Sequence, residues 1–254
     1  MPPLDHTLDR TILIRAPRAT VFNYFTDSER FARWWGQGST IDPRPGGAVR
    51  IRYPNGVLAS GEILEIDPGS RLVFTFGYES GQPMPPGASR VTITLVDTAG
   101  GTRLSLHHAF ADPAARNQHV QGWRYQLALF ANVAADEVYA GAERLCDTYF
   151  ALWNETDEER RRAGFAAIAS ETLAFRDRFS CTDGTDDLAA HVGAAQVHMP
   201  GMTLARHGAL RQCQGTAVVD WTATGTDGSI KGRGTNVFAF GPDGRITSVV
   251  GFWG

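Results

Sequence analysis

Apolar residues keep a helical rhythm over residues 17–35, behind a short strand at Thr11 to Arg15. Pro17 suits the first turn of a helix carrying Val21, Phe22 and Phe25 on one stripe. Thr26-Asp-Ser-Glu29 has the spacing of a capping box and opens a second helix, with Phe31, Trp34 and Trp35 following. After the turn-forming Asp42-Pro-Arg-Pro-Gly-Gly47 the period drops to two. Val49, Ile51 and Tyr53 share one strand face; Leu72, Phe74, Phe76 and Tyr78 share another; Val91, Ile93, Leu95 and then Leu104, Leu106, His108 repeat it. This pattern predicts an antiparallel meander with one apolar face. A long helix from Pro113 to Val138, with Val120, Trp123, Leu127, Phe130 and Ala134 on one stripe, can cover that face.

The rhythm restarts past Tyr139-Ala-Gly-Ala142, so we place a boundary there, with one domain over 1–140 and another over 141–254. Leu145, Tyr149 and Leu152 share one helix stripe, and Cys146, Phe150 and Trp153 the next. Thr156-Asp-Glu-Glu159 is a second capping box, and Arg160, Arg161 and Arg162 behind it read as a solvated face. A strand at Leu173 to Phe179, a helix around Asp187 to Val197, and strands near 202–207, 217–224, 230–240 and 246–253 complete the predicted elements. Helices first and a meander last describe a cone of sheet around a helix. The fold class is therefore α+β in both halves.

At 254 residues and 43% hydrophobic, the chain can bury two ordinary cores. A net charge of -3 supplies no basic field, which argues against nucleic acid and anionic membrane surfaces as partners. No apolar run approaches a membrane span, and the N-terminal stretch has no signal-like apolar core, so a cytoplasmic location is expected. Cys146, Cys181 and Cys213 show no Cys-x-x-Cys spacing, and the histidines have no ligand spacing; His107 and His108, adjacent on a strand, face opposite ways. No metal and no cofactor is expected, and nucleotide-binding and serine-hydrolase motifs are absent.

A curved sheet and a straight helix leave a gap between them, which Trp34, Trp35, Ile51, Tyr53, Phe74, Phe76, Tyr78, Trp123, Leu127 and Phe130 either line or fill. We expect a purely apolar cavity there. In the second half the pattern breaks are informative. Asp177 falls in the row Leu173, Phe175, Phe179; Asn236 in the row Gly234, Phe238, Phe240; and Tyr149 among leucines. Three polar groups in apolar rows point either to a polar cluster in a pocket or to a hydrogen-bonded core. A carboxylate so placed is hard to ionise, a property useful in a general base. Trp153, Phe175, Trp221, Phe238 and Phe252 are the apolar ligand candidates around them.

Ala16-Pro17 before Val21-Phe22, Arg33-Trp34-Trp35-Gly36, Asp42 to Gly47, Gly61 to Pro68, and His119 to Gly122-Trp123 together resemble the START-like SRPBCC superfamily, in the branch named after the activator of the heat-shock protein 90 ATPase. The resemblance implies a helix-grip fold with a hydrophobic ligand cavity. It does not imply chaperone activation. Tyr149-Phe-Ala-Leu-Trp-Asn154, Phe175-Arg-Asp177, Gly184 to His191, Gly234-Thr-Asn236 and Asp243 to Phe252 resemble the SnoaL-like branch of the nuclear transport factor 2 superfamily. That resemblance implies, by motif, Asp177 as a catalytic base, Tyr149 as a first oxyanion donor and Asn236 as a second, as in ketosteroid isomerases. Asn236 departs from the pattern, which has a carboxylic acid there. The expected function is binding of small hydrophobic polyketide-, steroid- or terpenoid-like molecules, with isomerase- or cyclase-type proton transfer in the second domain. The alternatives are non-catalytic binding or sensing and, further off, chaperone regulation. A homodimer through the second domain is expected.

Overall fold

The computed structural model describes residues 3–254 and divides into two compact units, with the division between Ala135 and Asp136. The division falls a few residues before 140 because Tyr139 packs into the second unit: its hydroxyl donates to the Gly241 carbonyl at 3.1 Å and its ring meets Phe240.

The first unit runs β1 (His6–Ile14), α1 (Arg18–Asn23), α2 (Ser28–Trp35), β2 (Thr40–Ile41), β3 (Ala48–Arg52), β4 (Leu58–Asp67), β5 (Arg71–Tyr78), β6 (Ser89–Thr98), β7 (Gly101–Phe110) and all but the last turn of α3 (Pro113–Val138). Its seven strands are antiparallel in the order β1-β7-β6-β5-β4-β3-β2. Alternation on β6 and β7 turns Val91, Ile93, Leu95, Leu104, Leu106 and His108 inward. The inward stripe of α3 passes through Ala115, His119, Trp123, Leu127, Phe130 and Ala134. Val120, expected on that stripe, is displaced by its neighbour His119, so the helix buries a polar residue. Trp34, Phe25 and Phe130 cluster at 4.6–5.7 Å between ring centroids, and each such buried ring contributes roughly 2–3 kcal/mol of transfer free energy.

The second unit runs α4 (Ala142–Trp153), α5 (Glu158–Ile168), β8 (Ala169–Arg176), β9 (Cys181–Asp183), α6 (Thr185–His198), β10 (Thr203–Cys213), β11 (Thr216–Thr224), β12 (Ile230–Phe240) and β13 (Ile246–Trp253). The strand order is β10-β11-β12-β13-β8-β9, with β13 parallel to β8 and every other pair antiparallel. The sheet keeps two edges, β10 and β9, so the expected cone does not close into a barrel.

Both capping boxes shift by one residue. Asp27 accepts from the Arg30 amide at 2.9 Å and Asp157 from the Arg160 amide at 2.8 Å, where the spacing predicts a threonine cap. An aspartate is at least as good an acceptor there and adds negative charge at the positive helix end. The arginine run is not the uniformly solvated face expected of it. Arg160 and Arg162 are exposed, but Arg161 is buried, its guanidinium donating to the carbonyls of Ala189 at 2.9 Å and Glu155 at 2.8 Å. That arginine ties α5 to α6.

Candidate functional site

Two cavities carry the chemistry, one in each unit. The first, about 670 Å³, lies between α2, the ends of β3 and β5, and α3, and is lined by Trp34, Trp35, Tyr53, Phe76, Tyr78 and Trp123 among others. Ile51, Phe74, Leu127 and Phe130, expected at the same wall, are buried core side chains outside its lining. Periodicity put them on the correct face but could not say which end of that face stays open.

This cavity is not purely apolar, contrary to expectation, because His119 and Gln126 of α3 line it with the two tyrosines. His119 Nδ1 lies 2.7 Å from the Ala115 carbonyl and Nε2 lies 3.1 Å from the Tyr78 hydroxyl. Gln126 donates its amide N–H to the Trp34 carbonyl. Behind them Trp123 Nε1 donates to His108 Nδ1 at 2.9 Å, His108 Nε2 stands 2.8 Å from Ser89 Oγ, and that hydroxyl donates to the Phe76 carbonyl at 2.9 Å. The carbonyl can only accept, so each proton in this chain has one place: His108 is the Nε2–H tautomer. Burial pushes its pKa well below the ordinary 6.5, with nearby histidines adding to the effect. The Trp34 and Trp35 indole N–H groups are buried without a partner.

The second cavity, about 390 Å³, brings together the three polar residues singled out by the pattern breaks. Tyr149 comes from α4, Asp177 from the loop after β8 and Asn236 from β12, and all three line it with Trp153, Phe175 and Trp221. Asn236 is oriented by Trp221, whose indole N–H can only donate and meets Asn236 Oδ1 at 3.0 Å; the Nδ2 amide hydrogens are left as donors. Tyr149 is 1% exposed and its hydroxyl has no partner. Burial, with the Asp177 charge adding, raises its pKa and keeps it a protonated donor. Gly251 lies between two of these side chains: a Cβ there would stand 3.2 Å from both Asn236 Oδ1 and Asp177 Cβ.

Asp177 differs from the expected picture in one respect. It lies past the end of β8 and is half-buried, and its carboxylate is well supplied with donors. Oδ1 accepts from the amides of Phe179 and Ser180, both at 2.8 Å, and Oδ2 from Trp253 Nε1 at 3.0 Å. It is therefore a satisfied and positioned carboxylate, not a desolvated one in an apolar row. Phe179, expected in that row, is 69% exposed against Trp253. Phe252 is exposed and outside the cavity, since β13 turns its side chain to the other face. Phe238 is buried core, packed on the Tyr149 ring at 5.1 Å, and supports the site without lining it.

Sequence reasoning missed His119, His191 and Trp253. His191 faces the second cavity from α6, 3.3 Å from Ser180 Oγ and against the rings of Trp153 and Phe175. Its spacing of three from Leu188 was the available signal. Among the described residues no cluster of three or more histidine, cysteine or acidic side chains could hold a metal ion, and no helix is long and apolar enough to cross a membrane.

Residues 15–135 match the family model described as Activator of Hsp90 ATPase homolog 1-like protein. Among solved structures, an AHSA1-like protein from Rhizobium etli is 34% identical over 51% of this chain and 81% of its own, with a TM-score of 0.43. CalU16 from Micromonospora echinospora is 30% identical over 49% and 74%, with a TM-score of 0.40. A candidate isomerase of the SnoaL-like family from Agrobacterium tumefaciens is 31% identical over 44% and 95%, with a TM-score of 0.43. No curated protein matches the chain significantly.

Proposed function

From a chain whose residues 15–135 match the activator of Hsp90 ATPase homolog 1-like family, we propose a protein that binds small hydrophobic molecules in its cavities and enolises a carbonyl compound in the second. The observation that carries this reading is the convergence of a donor-held carboxylate, an unpartnered buried hydroxyl and an oriented amide on one otherwise apolar pocket.

The roles follow from the hydrogen-bond inventory. The substrate carbonyl oxygen sits against the Tyr149 hydroxyl, which has no partner among the described residues, and the Asn236 amide N–H, which the Trp221 bond to Oδ1 leaves as a donor. Asp177, held in place by Phe179, Ser180 and Trp253, takes the proton alpha to that carbonyl. Charge then develops on the carbonyl oxygen, where the two donors stabilise it. Return of the proton from Asp177, to the same carbon or to a conjugated one, completes exchange or isomerisation. An amide is a weaker donor than a carboxylic acid, so Asn236 sets a slower enolisation than an acid at that position would.

Deuterium exchange alpha to the carbonyl, followed by NMR over a panel of cyclic ketones and enones, tests this. Asp177→Asn keeps an acceptor for the two amides and is expected to slow exchange by about 10²–10⁴-fold. Equal rates in wild type and variant would remove the catalytic claim. A binding-only reading is favoured by one observation, that position 236 holds a neutral amide, a weaker donor than a carboxylic acid. It predicts ligand-induced thermal stabilisation with no exchange at all.

A further inference from the structure

The first cavity has a fixed hydrogen-bonding sense, and that sense selects a ligand. The Ala115 carbonyl only accepts, so His119 Nδ1 carries a hydrogen. Burial holds the His119 pKa below its ordinary 6.5, leaving Nε2 a bare lone pair at neutral pH. The Tyr78 hydroxyl must therefore donate to Nε2. Its single proton is committed inward, and only oxygen lone pairs remain on its cavity side.

Tyr53 stands beside Tyr78 on the same wall. Its ring stacks on that of Tyr78 with centroids 6.5 Å apart, and burial, with the neighbouring Tyr78 adding, pushes its pKa up and keeps it protonated. Tyr78 thus lines the cavity as an acceptor, although tyrosine is ordinarily both donor and acceptor. His108 cannot reverse this, because its own two nitrogens are used by Trp123 and Ser89. The complementary donor is the Trp35 indole N–H, buried, unpartnered and on the same wall.

We infer that the first cavity takes a planar aromatic or enolic compound bearing a free hydroxyl, whose O–H donates to the Tyr78 oxygen while the indoles of Trp35 and Trp123 pack its ring. The walls are rings meeting edge to face, Trp35 with Trp123 at 5.5 Å and Trp35 with Tyr53 at 5.9 Å, and the volume of about 670 Å³ admits a molecule of two or three fused rings. A hydroxyl that can only be placed as a donor is discriminated from its methyl ether, since the ether would set its own lone pairs against those of Tyr78. This inference is independent of the chemistry proposed for the second domain.

Calorimetry with 2-naphthol and 2-methoxynaphthalene reads the selectivity, and the indole N–H signals of Trp35 and Trp123 in an NMR spectrum locate the ligand. Wild type is expected to bind the naphthol about tenfold more tightly than the ether, with both indole signals shifting. His119→Leu frees the Tyr78 proton to serve the ether oxygen, so the preference should collapse to within about twofold. Tyr78→Phe, which keeps the ring, should lower naphthol affinity and leave the ether unaffected. Circular dichroism checks that each variant is folded. Equal binding of the two probes to wild type, no binding of either, unshifted indole signals, or a preference unchanged in the folded variants would each overturn the inference.

Discussion

Replacing Tyr149 by Phe separates a functional hydroxyl from a structural one, because the two roles move stability in opposite directions. Tyr149 is 1% exposed and its hydroxyl has no hydrogen-bond partner. A buried hydroxyl left unpaired costs about 1–3 kcal/mol relative to one in water. The ring itself is well packed, with Phe238, Phe150 and Phe165 at 5.1, 5.5 and 5.9 Å between centroids, and phenylalanine retains all three contacts. Removing the oxygen relieves the polar cost and opens only a void of one atom, so the net gain is placed at the low end, about 1 kcal/mol. For a unit of this size that raises the melting temperature by roughly 3–5 °C. The same change removes one of the two donors at the proposed carbonyl position, so alpha-proton exchange should slow by about 10²-fold. Differential scanning calorimetry and deuterium exchange on one preparation read both effects. A melting temperature lowered by several degrees would refute the reasoning, since it would mean that the hydroxyl has a structural partner. A raised melting temperature with undiminished exchange would remove Tyr149 from the chemistry.

Two further tests address buried charge and buried imidazole. Arg161→Ala removes the buried link between α5 and α6, leaving the Glu155 carbonyl to Gln196 alone, and should cost about 1–3 kcal/mol, whereas Arg160→Ala and Arg162→Ala should stay within about 0.5 kcal/mol; equal urea midpoints for the three variants would contradict the burial of Arg161. His108 and His119 both have pKa values pushed below 6.5 by burial, so the unfolded chain takes up protons that the folded protein resists. Their contribution to stability is complete above pH 6.5 and is lost as the pH falls below it toward the folded values; the urea midpoint should drop between pH 7.5 and 5.5, and an unchanged midpoint would contradict the assignment of both rings as neutral.

Much of the secondary structure was legible because it rests on short-range periodicity. The α3 helix spans Pro113 to Val138 as its spacing predicts, and the strands of both meanders follow the alternation of their apolar residues. The trio Tyr149, Asp177 and Asn236 was legible for a related reason: a polar residue in an apolar row must be accounted for, and the three do line one cavity. What escaped was whatever depends on a fraction of a turn or on partners distant in sequence. His119 and Val120 are one residue apart on a helix, and only the rotation of α3 against β5 and β7 decides that the histidine faces inward. Arg161 sits between two exposed arginines, and its burial depends on the approach of α6.

The sequence by itself determined the two α+β units, the aromatic character of the first cavity and the three polar residues of the second, because apolar spacing along a helix or strand dictates which face must leave water. Tertiary structure alone decided which side chains line a cavity and which fill the core, that the second sheet stays open, and that Asp177 is held by three N–H donors. It also decided the direction of every proton from Ala115 through His119 to Tyr78, since a hydrogen bond's sense depends on a partner that spacing cannot reveal.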